Sequence, residues 1–448
     1  MTSTQRLESV STKRKRIAKL ARTQPTLTFT SIAHFIDLEW MHQAWNLTRK
    51  DAAVGVDGVD AEQYAADLEG NLTRLLAAFK GGTYKAPPVR RVLIPKSSGA
   101  GTRPIGIPTL EDKILQRAVV MLLECIYEED FVPSSHGFRP GRSAHGALEQ
   151  FRQAATELRG GWVIDADIKG FFDALDHGVL RGFLDLRIRD GVIRRAIDKW
   201  LKAGSLEDGR FVRTTKGSPQ GGVISPLLAN IYLHYSLDLW FEQEVRRRAS
   251  GPVAFVRYAD DFLILARRQD DVQGLMKALP KWLARFSLGL HPTKTRLVPF
   301  QQPPFRWRRE NADAMPSVRD PGTFDFLGFT HYWGGTRSGG WALKRKTAKD
   351  RFARFAKGLN EWCRTNRCVP VRDQHRILSA KLRGFGAYYG LSGNAKSLDS
   401  MRFRAQEIWR CWLRRRSQRG HMPWARFNAI LRRFPLPQLR VRRASSIV

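Results

Sequence analysis

Apolar and polar positions alternate along Trp162-Val-Ile-Asp-Ala-Asp-Ile168, the period of a half-buried strand. The stretch from Val253 to Ala266 has the same character apart from a central Asp260-Asp261 pair, which predicts two strands joined by a tight turn with both carboxylates at its tip. Pro87-Pro88 and Ser97-Ser-Gly-Ala-Gly101 bracket Val89 to Ile94 and predict a β-hairpin arm. Phe324 to Phe329 predicts a compact strand after a loop-rich insertion running from Gln301 to Gly322. Helical spacing covers Glu111 to Tyr127, Ala144 to Leu158, Thr347 to Thr365 and Met401 to Arg416, and Pro435-Leu-Pro437 is expected to end the fold. Mixed strands and helices followed by a helical end give an α+β body with an appended helical domain. The expected divisions are 1–85, 86–340 and 341–448.

Charge changes this picture. The 448 residues carry 76 Lys and Arg against 42 Asp and Glu, a formal charge of +34. Self-repulsion on that scale needs an anionic partner, and a polyphosphate backbone is the obvious one. Of that surplus, +22 sits in the last 108 residues together with 13 aromatic side chains, a mixture suited to phosphate contact and base stacking. A helical bundle with an aromatic core and a solvated basic face is the better account of the aromatics alone, but it does not account for the charge. The run Arg414-Arg415-Arg416 is the candidate RNA-binding patch.

Four scattered cysteines exclude a disulfide framework and match no zinc-site spacing, which fits a reducing cytosol. The strongest uninterrupted apolar run, Ala118 to Leu123, is far too short to span a bilayer, so no membrane partner is expected and a cytoplasmic location is. The N-terminal run Lys13-Arg-Lys-Arg16 reads as an RNA-touching arm in preference to a mitochondrial leader.

Two strand ends bearing Asp167 and Asp260, brought side by side, would clamp two magnesium ions roughly 4 Å apart, activating an attacking hydroxyl and stabilising departing pyrophosphate. Asp165 and Asp173 are rival carboxylates on the first segment, but Asp167 lies at the strand's end with Phe172 five residues on. An isolated Asp-Asp pair is more often an ordinary polar turn, so the second element decides the matter.

The order Asp167…Phe172, then Ser218-Pro-Gln-Gly-Gly-Val-Ile-Ser-Pro-Leu-Leu-Ala-Asn230, then Tyr258-Ala-Asp-Asp261, resembles a reverse transcriptase palm. More narrowly, the chain is similar to the reverse transcriptase/maturases of bacterial group II introns. The likeness extends through Ile94-Pro-Lys96, Gly101 to Pro108, His136-Gly-Phe-Arg-Pro-Gly-Arg142, Gly289 to Thr295, Phe326 to Phe329 and Leu382 to Gly390. It implies a right-hand polymerase with fingers and palm, followed by a helical thumb/maturase domain. It implies Asp167, Ile168, Asp260 and Asp261 at the metal ions, with Lys294 as the acid that protonates pyrophosphate. Lys96 and Arg103 would meet the incoming triphosphate, while Gln220 and Tyr258 would flank the nascent pair.

Phe172, a bulky apolar ring below the sugar, would exclude a 2′-hydroxyl and so select deoxynucleoside triphosphates; as a core residue it would do neither. The implied partners are a group II intron RNA and a DNA target or primer. The paired Cys and His of the family's endonuclease module do not follow Pro437, which implies priming from an existing DNA 3′ end. A reverse transcriptase turned to phage defence or another non-intron role, and an RNA-binding splicing factor with an inactive palm, are the alternatives.

Overall fold

A computed structural model of the chain describes residues 9–95, 101–207, 210–212, 216–217, 221–303, 322–336, 339–416 and 421–441. Its strands, in chain order, are β1 (Val89–Pro95), β2 (Thr102–Ile107), β3 (Trp162–Asp167), β4 (Ser205–Glu207), β5 (Arg210–Val212), β6 (Val253–Tyr258), β7 (Asp261–Ala266), β8 (Arg296–Pro299), β9 (Phe324–Phe326), β10 (Phe329–Gly335) and β11 (Trp341–Thr347). They form three sheets, of orders β2-β1-β4-β5, β6-β7-β3-β8 and β11-β10-β9. The mixed α+β architecture and the helical C-terminal region agree with the sequence. So do the arm at β1–β2 and the hairpin at β6–β7, each broken where the turn residues interrupt its apolar runs.

The chain falls into two compact units. One comprises Met1–Ala147, Ala166–Ile264 and Asp270–Arg296; the other Leu148–Asp165, Leu265–Gln269 and Leu297–Val448. In the first, helices Val10–Thr23 and Leu38–Leu47 pack against the 21-residue helix Leu110–Asp130. That helix is buried along most of its length, its central apolar run Ala118 to Leu123 included, and even Asp112, Lys113 and Gln116 are covered. In the arm, Ile94 stands opposite Arg103 in an antiparallel ladder, while Val89 pairs in parallel with Ser205.

In the second unit, Phe324 to Phe329 is not one strand. Leu327 and Gly328 both take positive φ (49° and 80°), and Phe326 pairs with Phe329, so the segment is a two-residue hairpin turn between β9 and β10. The phenylalanines masked that turn in the sequence. Helices Lys349–Thr365, Val371–Tyr389, Ala395–Arg414 and Trp424–Arg433 enclose a core that includes Leu382, Trp409 and Phe427. Pro435-Leu-Pro437 ends a helix but not the fold, because Leu436 and Leu439 are buried in the same core. Most of the expected 301–322 insertion lies outside the described residues. Among the described residues, no helix is long and apolar enough to cross a membrane.

Candidate active site

Asp167 closes β3 with its side chain 13% exposed. Past it the chain stays extended: His291 N–H donates to the Asp167 carbonyl at 2.8 Å, and Lys169 N–H donates to the Gly289 carbonyl at 2.8 Å. These two bonds make an antiparallel bridge between Ile168 and Leu290, leaving the N–H and C=O of Ile168 on the opposite strand edge. The bridge also seats the Gly289–Thr295 segment beside the strand end. From it, Lys294 Nζ reaches Asp167 Oδ2 at 2.5 Å.

The β6–β7 hairpin turns at Ala259-Asp260, with Ala259 at φ 57°. Asp260 is half-buried and Asp261, the first residue of β7, is exposed. The Asp260 carboxyl is pushed above the usual carboxylate range, chiefly by burial and further by the charge of Asp167, while Arg103 and Lys294 pull it down. Four residues from four separate stretches therefore share one field. An Asp260 carboxyl whose charge is disfavoured by burial and by the second carboxylate, with the backbone carbonyl at the strand end, forms an oxygen-only donor set that suits a hard divalent cation. Among the described residues no group of three or more His, Cys, Asp or Glu side chains converges. A cation here would complete its shell with water and phosphate oxygens, as magnesium commonly does.

The remaining positions divide by place. Arg103 is exposed on β2. Phe172 is half-buried just past a left-handed Gly170 (φ 55°), whose carbonyl accepts from Asp173 and Ala174 N–H at 2.9 Å each. A Cβ on Gly217 would fall 2.8 Å from the Phe172 carbonyl oxygen, so the segment entering the Ser-Pro-Gln-Gly motif rests on the Phe172 turn. Tyr258, the last residue of β6, is half-buried. Lys96 and Gln220 lie outside the described residues. Arg414, Arg415 and Arg416 are exposed at the end of helix Ala395–Arg414. Arg415 lies over the Trp412 ring at 5.0 Å, and Arg416 Nη2 donates to the Val369 carbonyl at 2.7 Å.

Sequence reasoning missed what holds the hairpin tip. Arg257 is fully buried, and its guanidinium makes five hydrogen bonds. Nε and Nη2 donate to the two carboxylate oxygens of Asp238 at 2.7 and 2.6 Å, and Nη2 also to Ser135 Oγ at 2.7 Å. Nη1 donates to Asn230 Oδ1 at 3.1 Å and to the Ala259 carbonyl at 3.0 Å. All five donors of the fork are spoken for. Asn230 then donates through Nδ2 to the Gly137 carbonyl at 2.7 Å.

Asn230 and Asp238 sit eight residues apart on one continuous helix, about 80° out of phase if it were regular. The π-helical turn His234–Asp238 takes up one extra residue, roughly 100° of rotation, and turns both toward the arginine. One signal was readable. Val253, Phe255 and Arg257 share a strand face, and a lone arginine on a core face demands a buried carboxylate.

Residues 94–331 match the family model described as reverse transcriptase (RNA-dependent DNA polymerase). Protein YkfC of Escherichia coli is 37% identical over 290 residues, covering 58% of this chain and 76% of the relative. The group II intron-encoded protein LtrA of Lactococcus lactis is 32% identical over 399 residues, 74% of this chain and 65% of the relative. The mitochondrial nuclear intron maturase 2 of Arabidopsis thaliana is 28% identical over 176 residues, 30% of this chain and 24% of the relative.

Proposed function

The chain belongs to the reverse transcriptase (RNA-dependent DNA polymerase) family, alongside group II intron-encoded proteins, and from that premise we propose that it copies its own intron RNA into DNA and binds the same RNA to assist splicing. The observation that carries the polymerase half is the electrostatic coupling of Asp260 to Asp167, with Arg103 and Lys294 in the same field.

In this reading Asp167, Asp260 and the Ile168 carbonyl would hold two magnesium ions, with Asp261 supporting them. When bound, the ions polarise the primer 3′-hydroxyl and neutralise charge on the phosphates. Lys96 and Arg103 bind triphosphate oxygens, for which a cationic arm is suited. Lys294 delivers a proton to the departing pyrophosphate, since an ammonium both offsets its charge and donates. Gln220 and Tyr258 border the nascent pair, and the Phe172 ring meets the sugar where a ribonucleotide would carry its 2′-hydroxyl. The substrates are thus deoxynucleoside triphosphates, an RNA template and a DNA primer.

Splicing assistance is binding work. Basic side chains on the 341–448 segment, Arg414 to Arg416 among them, offset phosphate crowding while the RNA supplies its own active site.

Asp260→Ala tests the site. It should abolish primer extension on an RNA template and leave RNA affinity within about two-fold of the parent. An Asp260→Ala protein that still extends a primer overturns the assignment.

A further inference from the structure

The loop His136-Gly-Phe-Arg-Pro-Gly-Arg142 has so far only one part in the site, through the Gly137 carbonyl. Its inward-facing backbone and guanidinium groups are engaged. His136 N–H donates to the Arg257 carbonyl at 2.9 Å, and Arg257 N–H donates to the Ser134 carbonyl at 2.9 Å. The buried Arg139 donates to the carbonyls of Val132 and Ser135 at 2.8 Å each and pairs with Glu128 at 2.9 Å. Gly137 is pressed so closely on the hairpin that a Cβ there would fall 2.3 Å from Ala259 N.

Phe138 departs from this pattern. It holds φ 58°, a conformation disfavoured for a side chain of its bulk, and the residue is 54% exposed. A rigid loop thus keeps a strained residue in place in order to present an aromatic ring to solvent, one residue from the Gly137 contact with Ala259, the residue before Asp260. Strain of this kind, held by surroundings that over-determine it, marks a functional site more often than a packing site. Arg142, exposed on the same loop, adds a cation suited to phosphate.

We propose that Phe138 is a substrate-contact residue that packs against the primer–template duplex beside the catalytic hairpin, with the buried Arg257–Asn230 pair fixing the ring in register with Asp260. The inference rests on the polymerase reading, because the loop lies against the hairpin that carries Asp260. The hub joins the two turns directly: Arg257 Nη1 bonds the Ala259 carbonyl, and Asn230, bonded to the same Nη1, bonds the Gly137 carbonyl. The ring offers a flat apolar face of the kind on which a base or sugar packs without sequence preference.

The test uses the full chain with a short RNA template–DNA primer duplex, read by fluorescence anisotropy, steady-state extension and thermal melting. Phe138→Gly relieves the backbone strain and removes the ring, so its melting temperature should equal or exceed the parent's. Its duplex Kd should rise by about ten-fold, on the scale of removing one base stack. The KM for deoxynucleotides should stay within about two-fold of the parent's. Phe138→Asn, which tolerates left-handed backbone, should behave alike, and Phe138→Tyr should restore affinity. Unchanged duplex affinity overturns the proposal, as does a loss of folding or melting temperature in the Gly and Asn variants, since the ring would then be packing. Asp260→Ala measured in parallel separates the two readings: extension that survives it refutes the polymerase site, whereas its failure beside an unaffected Phe138→Gly refutes only the contact.

Discussion

Lys294 places its ammonium 2.5 Å from Asp167 Oδ2, across 127 residues of sequence. Within the pair the side chain of Lys294 is 62% exposed and that of Asp167 is 13% exposed. Its geometry suits both a counter-charge for the carboxylate and a proton donor for a phosphate.

Lys294→Arg separates those roles. Arginine keeps the charge but does not give up its proton at neutral pH, so kcat for extension should fall by about 10²-fold with little change in deoxynucleotide KM. Stopped-flow single-nucleotide addition measures this. A variant with near-parental kcat would reduce Lys294 to an ion-pair partner.

Arg257→Met should unfold the palm or lower its stability by about 3–5 kcal/mol, because Asp238 would be left charged and unpaired at zero exposure. Arg257→Met combined with Asp238→Leu should recover most of that stability while extension stays low, since the Ala259 carbonyl still lacks its donor. Full recovery of extension in the double variant would show that the hub only packs.

Phe172→Ala should admit ribonucleotides. Competition between deoxynucleotide and ribonucleotide on one template should show the discrimination ratio falling by at least about ten-fold, as a steric barrier worth about 1 kcal/mol or more disappears. An unchanged ratio would leave Phe172 as a packing residue on the Gly217 turn.

Replacing Arg414, Arg415 and Arg416 by Gln should flatten the salt dependence of RNA binding by roughly 0.7–0.9 in log–log slope for each phosphate that the run no longer neutralises. Arg416 is already bonded to the Val369 carbonyl, but a guanidinium has further donors to offer. The measurement is a titration across a series of salt concentrations. An unaltered slope would mark the run as solvated surface.

His331 supplies a pH prediction for the second unit. It is fully buried against Phe324, stacked at 5.0 Å, with neither ring nitrogen hydrogen-bonded, and burial pushes its pKa down to about 3, aided by Arg345. The unfolded imidazole takes up its proton near pH 6.5, so the unfolded chain binds the extra proton between pH 6.5 and about 3. Stability should therefore fall as pH drops through that window. His331→Phe should flatten this part of the profile in denaturant melts at about pH 7, 6 and 5.

The β6–β7 hairpin was legible because two apolar runs, an acidic pair between them and tight-turn geometry all pointed one way. Asp167 closes β3, the strand end where the sequence puts it, although its side chain is only 13% exposed. Helix bounds came within a few residues, apart from Met401 to Arg416, whose helix begins at Ala395 because Lys396, Ser397 and Asp399 blur its apolar stripe. The Leu327-Gly328 turn was hidden because leucine rarely takes positive φ. The Arg257 hub was hidden for a different reason. Its acceptors come from Ser135, Asn230, Asp238 and Ala259, and no local pattern relates four such positions. Phe138 was passed over because a phenylalanine between Gly and Arg looks like any loop residue until its exposure and backbone are known.

The π-helical turn at His234–Asp238 makes the length of that helix part of what holds the tip of the β6–β7 hairpin. Deleting one residue there would yield a more regular helix with better internal bonding, and by ordinary helix criteria a better one. It would also swing Asp238 about a quarter-turn away from the guanidinium it neutralises, stranding a cation in the middle of the palm. Irregularity at this point is thus a spacing device: one surplus residue converts a helix into a ruler that meets a strand from elsewhere at the correct phase.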